Sequence, residues 1–228
     1  MQRIITLVVV VAVVLLAGFF YFTRPVSAPT QAVDTVAEKL VSNTEINTSA
    51  TGEKVYRISQ AQSSVQFSIG EILNGAPFTA VGKTSEVAGD VAVTRSQITV
   101  GEVVVNAKTF KTDNSRRDGA IVRFILRSDQ PVNEFITFKP TAPIALTAPI
   151  VEGKEISAKI SGDLTVSGVT KPATFAVKIK TQAGKLSVTG GTTVKRSDFD
   201  LKIPELSFIA SVDDAVKISV SAVAEVVQ

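Results

Sequence analysis

Residues 162–180 read GDLTVSGVTKPATFAVKIK. Leu164 and Val166 alternate with Asp163 and Thr165 before the turn-rich SGVTKP, and Phe175, Val177 and Ile179 alternate with Thr174, Lys178 and Lys180 after it. A period of two on both sides of a turn signal predicts a β-hairpin with one apolar face. Pro172 fixes φ and cannot donate to a ladder, so the turn is expected over Val169-Thr170-Lys171-Pro172.

The same period extends outward. Val65, Phe67 and Ile69 share one parity, as do Val87, Gly89, Val91 and Val93, then Val103, Val105 and Ala107, then Ile136 and Phe138. Ile156, Ala158, Ile160, Gly162, Leu164 and Val166 form a longer run, followed by Leu186 and Val188 and by a last run from Val216 through Ile218, Val220, Ala222 and Ala224 to Val226. About eight strands with one solvated face predict an all-β, antiparallel domain, because few connections have room for helical crossovers. A closed up-and-down barrel and a β-sandwich both fit this pattern. One segment departs from it. In NSRRDGAIVRFILR (114–127), Ile121, Phe124 and Ile125 take helical spacing, with Arg123 and Arg127 four apart, so a short helix on the sheet is expected. Gly119 is expected to limit it on the N-terminal side.

The composition removes most chemistry. The 228 residues contain no Cys, His or Trp. No Ser-His or Cys-His nucleophile pair can form, nor a Cys/His zinc site, a haem ligated by His or Cys, or a cysteine-held cluster. Asp198 with Asp200, and Asp213 with Asp214, are paired acids, but such pairs at strand ends read as solvated turn residues and no EF-hand spacing is present. We expect no enzyme, no metal and no cofactor. The pI near 9.1 overstates the basic character. Arg3 and Arg24 flank the first apolar run; beyond Arg24, 22 Lys+Arg face 21 Asp+Glu. A nearly neutral body argues against a nucleic-acid partner.

Three domains of organisation are expected. Residues 1–24 hold IITLVVVVAVVLLAGFFYF (4–22), without a charge. As a helix it spans roughly 28 Å, a bilayer core. A cleaved signal peptide is the rival, but its apolar stretch would be shorter, and the nearest small-residue site, Val26-Ser27-Ala28, precedes Pro29. We expect an uncleaved anchor, the N-terminus cytoplasmic and the body extracytoplasmic, on a periplasmic or cell-surface side. Residues 25–52 read as a Ser/Thr/Pro/Ala-rich linker, with Val33, Val36, Ala37, Leu40 and Val41 at the spacing of one short helix. As a flexible tether it would reach roughly 30 Å. Asn47-Thr48-Ser49 matches a glycosylation sequon, a weak signal. Residues 53–228 are the β-domain.

Several stretches of that domain resemble the YceI-like polyisoprenoid-binding family. GDLTVSGVTKPATFAV is similar to the family's G-x-L-T-x-x-G-V-T-K-P signature. TFKTDNSRRDGAIVRFILRSDQPVNEFITF (109–138), KRSDFDL (195–201), VDDAVKISVSAVAEV (212–226) and YRISQAQSSVQFSI (56–69) resemble further family segments in the family's order, so the likeness covers about residues 55–227. Asp200 stands where the family has glycine, the histidine-leucine pair after Arg-Asp is absent, and the segment before Pro131 is blurred. The resemblance implies a lipocalin-like barrel of about eight strands that holds a polyprenyl or isoprenoid-quinone chain in an internal tunnel, as ligand rather than cofactor.

On that reading the inward parities become tunnel lining: Phe67, Ile69, Val91 and Val105; Phe124 and Phe138; Leu164, Val166, Phe175 and Val177; Val188 and Phe199; Ile218, Val220 and Ala222. Each of these taken singly reads as core far more readily than as ligand lining, and it is the resemblance that makes them a tunnel. Arg117, Arg123 and Arg127, with Arg116, read as a solvated helix face or as a polar rim for a phosphate or quinone head. Small inward residues such as Ala158, Gly162, Ala222 and Ala224 leave apolar free volume, which favours an apolar guest over water. The competing function is a structural or interaction β-domain of the cell envelope with a filled core and no lipid.

Overall fold

The computed structural model describes residues 25–41, 54–204 and 209–227. The anchor expected at 4–22, most of the second half of the expected linker and the sequon at 47–49 lie outside the described residues.

The hairpin over residues 155–182 pairs β10 (Glu155–Val166) with β11 (Val169–Gln182) in register from Glu155↔Lys180 to Val166↔Val169. Its turn is shorter than expected. Ser167 and Gly168 form it alone, at φ 49° and 78°, the paired left-handed conformation that matches the twist of the flanking strands. Thr170, Lys171 and Pro172 already belong to β11, which corrects their assignment to the turn. The ladder accommodates the proline. Val166 and Val169 flank the two-residue turn and so exchange hydrogen bonds, and alternation then places Asp163↔Pro172 at a non-hydrogen-bonded pair. The missing N–H faces the next strand, β12 (Lys185–Lys195), whose pairing with β11 starts only at Ala176. Pro172 therefore sits on a locally free edge, where proline is tolerated.

The other strands are β1 (Lys54–Ile58), β2 (Ser64–Leu73), β3 (Ala76–Thr84), β4 (Val87–Ala88), β5 (Asp90–Val93), β6 (Gln97–Val100), β7 (Val103–Asn106), β8 (Phe135–Pro140), β9 (Ile144–Ala145) and β13 (Ile209–Val226). All pair antiparallel, in the order β4-β7-β8-β10-β11-β12-β13-β1-β5-β6-β9. The count exceeds eight because several strands are short or interrupted; β4 and β5, for example, are one run broken at Gly89. β13 is the longest. It pairs β12 along most of its length and divides its other edge between β2 and β1. The curled sheet closes on itself. Near one end Thr141 N–H donates to the Ser161 carbonyl, joining the segment before β9 to β10. Near the other, β3 meets Lys111 through reciprocal backbone bonds of 2.9 Å at Lys83. The result is the antiparallel barrel with a short helix that the strand periodicity and the family resemblance together imply.

The helical segment comprises α2 (Ser115–Ala120), continued by a π-turn over Ile121–Ile125. Asn114 caps it, its side chain accepting from the N–H groups of Arg116 and Arg117 at 2.9 and 3.4 Å. The cap places the start four residues before Gly119, which does not limit it. Asp200 takes the left-handed conformation at φ 53° where a 3-10 turn over Arg196–Phe199 ends, which explains why glycine suits that position.

Part of the expected linker is folded on the barrel. The helix over Val33–Val41, here α1 as the first in the chain, buries Val33 (0% exposed) and Ala37 against Ala88 and Val104. This cover explains a break in alternation. Residues 87–92 are all buried, and Val104 is as buried as Val105, because both faces of this wall are covered.

Candidate functional site

Inside the barrel lies an apolar cavity of about 730 Å³. It is long. Val212 near one end of β13 and Ala224 near the other both line it, a separation of roughly 40 Å along the strand at the usual rise per residue. One end is sealed by Ile58, Ile98, Ile179, Leu186 and Ala224, all buried. At the other end the lining includes exposed residues, Asn74 in the β2–β3 turn with Asn114 and Arg116 on the helical segment, and this is the mouth.

Two glycines shape the interior. A Cβ on Gly82 would lie 2.2 Å from the Phe67 ring, and one on Gly162 would lie 2.8 Å from the Phe138 ring. Their absence lets those rings lie against the wall, where Phe67 meets Phe110 edge-on at 5.2 Å between centroids and Phe138 meets Phe175 at 4.8 Å. Gly162 therefore accommodates a ring rather than enlarging the cavity. Ala222 and Ala224 do line free space.

Polar groups gather at the mouth. Arg117 donates to Glu71 at 3.1 Å, pairs with Asp113, and lies 4.9 Å from the centroid of the Phe78 ring. Glu71 is mostly buried and lines the cavity. Arg196 donates to the Asp213 and Leu201 carbonyls, both at 3.1 Å. Beside it the Ser197 hydroxyl and N–H hold the Asp214 carboxyl below its ordinary value. These contacts tie the 3-10 turn to β13 at the rim. Among the described residues no group of three or more His, Cys, Asp or Glu could hold a metal ion.

The residues singled out as tunnel lining fall as follows. Phe67, Ile69, Val91, Val105, Phe138, Leu164, Val166, Phe175, Val177, Val188, Phe199, Ile218, Val220 and Ala222 all face the cavity. Phe124 does not, because the π-turn shifts the register so that Ile121 and Ile125 line the space instead. Of the rim arginines, Arg117 lines the cavity; Arg123 and Arg127 do not, their positions falling off the face on which Ile121 and Ile125 line it. Glu71, Asn114 and Arg196 were not singled out. Glu71 was legible, since it continues the inward parity of Val65, Phe67 and Ile69. Asn114 and Arg196 carried no periodic signal.

An antiparallel barrel around a deep apolar cavity, with its charged lining residues Glu71, Arg116, Arg117 and Arg196 at the mouth, has the shape to admit an elongated apolar molecule. The chain belongs to the YceI-like domain family, whose model matches residues 56–224. UPF0312 proteins of Pseudomonas aeruginosa strains LESB58 and UCBPP-PA14 are each 32% identical over 108 residues, 45% of this chain and 52% of the relative. The chain thus spans about half the length of these curated relatives. Among solved structures, a polyisoprenoid binding domain from Saccharophagus degradans implicated in plant cell wall breakdown superposes with a TM-score of 0.61 at 14% identity, over 75% of this chain and 98% of that domain. Burkholderia cenocepacia BcnA superposes with a TM-score of 0.51 at 16% identity, over 73% and 98%. At these identities the likeness establishes the fold.

Proposed function

We propose that this protein binds an isoprenoid lipid, a polyprenyl or isoprenoid-quinone chain, in the barrel cavity, and that it does so tethered to a membrane by residues 4–22 with the barrel on the extracytoplasmic side. The observation that carries the reading is the cavity itself. A filled structural domain at native packing density has no use for about 730 Å³ of apolar space. A tail burying a few hundred Å² there gains roughly 25 cal/mol per Å² before ordering costs. The polar mouth suits a head group, which remains near Glu71, Asn114, Arg116 and Arg117 while the tail runs inward.

The role is sequestration or carriage, without catalysis. Family membership supports binding, and the polyisoprenoid ligand is what the name of one structural relative states for that relative. The anchor rests on the uncharged run at 4–22. Among the described residues no helix is long and apolar enough to cross a membrane.

Native mass spectrometry of the full chain in detergent, followed by organic extraction, tests this reading. A prenyl lipid retained near one per chain is the expected result. A bare protein that also refuses added polyprenyl and quinone ligands would return the function to the structural or interaction domain.

A further inference from the structure

Glu134 is fully buried, and the function proposed above does not use it. Its carboxylate receives the Thr30 N–H at 2.7 Å, the Thr30 hydroxyl at 2.6 Å and the Lys108 ammonium at 3.2 Å. Lys108, itself buried, also donates to the Ala28 carbonyl at 3.4 Å. Two of the three donors to Glu134, and one of the acceptors of Lys108, therefore come from the segment that precedes the barrel. Without that segment the ion pair loses three hydrogen bonds, and a buried charge pair is stable only when its groups are well hydrogen-bonded.

The next turns of this segment add apolar contact. Val33 and Ala37, four apart on α1, close over Ala88 and Val104. Arg57 on β1 reaches Glu38 at 3.3 Å, and Gln60 donates to Asp34. The covered wall is a single layer of sheet, in which β4 is two residues long. Its outward residues Ala88 and Val104 touch the strap, while their neighbours Val87, Val103 and Val105 line the cavity.

We propose that residues 28–41 are a docked strap, latched by Lys108 and Glu134, that holds the barrel at the surface of the membrane carrying its own anchor. This rests on the reading of residues 4–22 as membrane-held. Five residues separate Tyr21-Phe22 from Ala28, so the latch lies at most about 20 Å from the end of the apolar run. A released segment from residue 22 to β1 would extend to the order of 100 Å. With the strap docked, the site exchanges lipid with its own bilayer. It does not reach across to another.

The chain has no cysteine, so one cysteine at exposed Thr189 gives a single label. Full-length Thr189→Cys carrying a fluorescein is reconstituted into phosphatidylcholine vesicles containing rhodamine-phosphatidylethanolamine. Strong energy transfer is expected, falling at least twofold in Glu134→Gln and in Val33→Asp. The second variant lies in the strap and leaves the barrel's own residues intact; circular dichroism melts confirm that each is folded. Equal transfer in folded variants overturns the strap. Failure of the unmutated chain to float with vesicles overturns the anchor and the membrane placement together. Limited proteolysis separates the two, because a docked strap resists cleavage within 28–41 in detergent and Val33→Asp loses that resistance whether or not the chain is held by a membrane.

Discussion

Arg117 on α2 donates to Glu71 on β2 across 3.1 Å, and this contact spans the part of the barrel wall that no strand closes. β3 is hydrogen-bonded to β2 on one edge, and on the other, among the described residues, the Lys83–Lys111 bridge and the Thr84–Thr109 hydroxyl pair at 2.6 Å join it to the rest of the barrel. Beyond that bridge, toward the mouth, side chains bring the helical segment to the wall, with Arg117 lying over Phe78.

Arg117→Ala is expected to leave Glu71 part-buried without its cation, at a cost of about 1–3 kcal/mol, and to loosen the mouth. Stopped-flow entry and release of a fluorescent prenyl probe should both accelerate severalfold, with a smaller change in affinity. Unchanged rates in a folded variant would show that the mouth does not govern exchange.

Ala222 lines the cavity and pairs with Val188 across β12 and β13. Ala222→Trp should fill the tunnel and abolish retention of prenyl lipid. Overpacking costs about 1–3 kcal/mol, which a denaturant melt detects while circular dichroism retains the barrel signal. Full lipid content in the folded variant would refute the tunnel.

The corrected hairpin turn gives a contrast between neighbouring positions. Gly168 sits at φ 78°, a region costly for a residue with a side chain, so Gly168→Ala should destabilise by about 1 kcal/mol. Pro172→Ala, on a free edge, should change stability by less than about 1 kcal/mol. Asp200, at φ 53°, should tolerate Asp200→Gly and lose stability in Asp200→Ala. Urea midpoints rank all four variants.

Burial pushes the Glu134 carboxyl upward, but the Thr30 hydroxyl, the Thr30 N–H and the Lys108 ammonium outweigh it and leave the group below its ordinary value of 4.5. A carboxyl depressed in the folded state contributes stability above its unfolded pKa and loses it as pH falls through the folded one. The stability advantage of the unmutated chain over Glu134→Gln should therefore be constant at neutral pH and shrink below about pH 4.5. Thermal melts across pH 7 to 3 check this; a difference independent of pH would place the charge elsewhere.

Much of the site was readable because a strand has a period of two. Once Val65, Phe67 and Ile69 share a face with one another and with Glu71, closing the sheet sends that face to a common interior. Phe124 was misplaced for a local reason: the π-turn inserts a residue into the helical spacing, and periodicity alone does not reveal such a turn. Arg123 and Arg127 followed from the same helical reading, whereas only the capped first turn reaches the mouth.

The antiparallel β-class, the apolar faces and the lack of Cys or His chemistry are written in the chain itself, since alternation and composition are local properties. The family resemblance made the barrel legible. Three matters depended on the tertiary structure. Whether the barrel is filled or hollow turns on how the rings of Phe67 and Phe138 settle over Gly82 and Gly162. The rim depends on long-range contacts such as Arg117 with Glu71. The docking of residues 28–41 depends on Lys108 and Glu134, charges that look solvated in sequence and become buried only because Thr30 and Ala28 arrive from far along the chain to complete their hydrogen bonds.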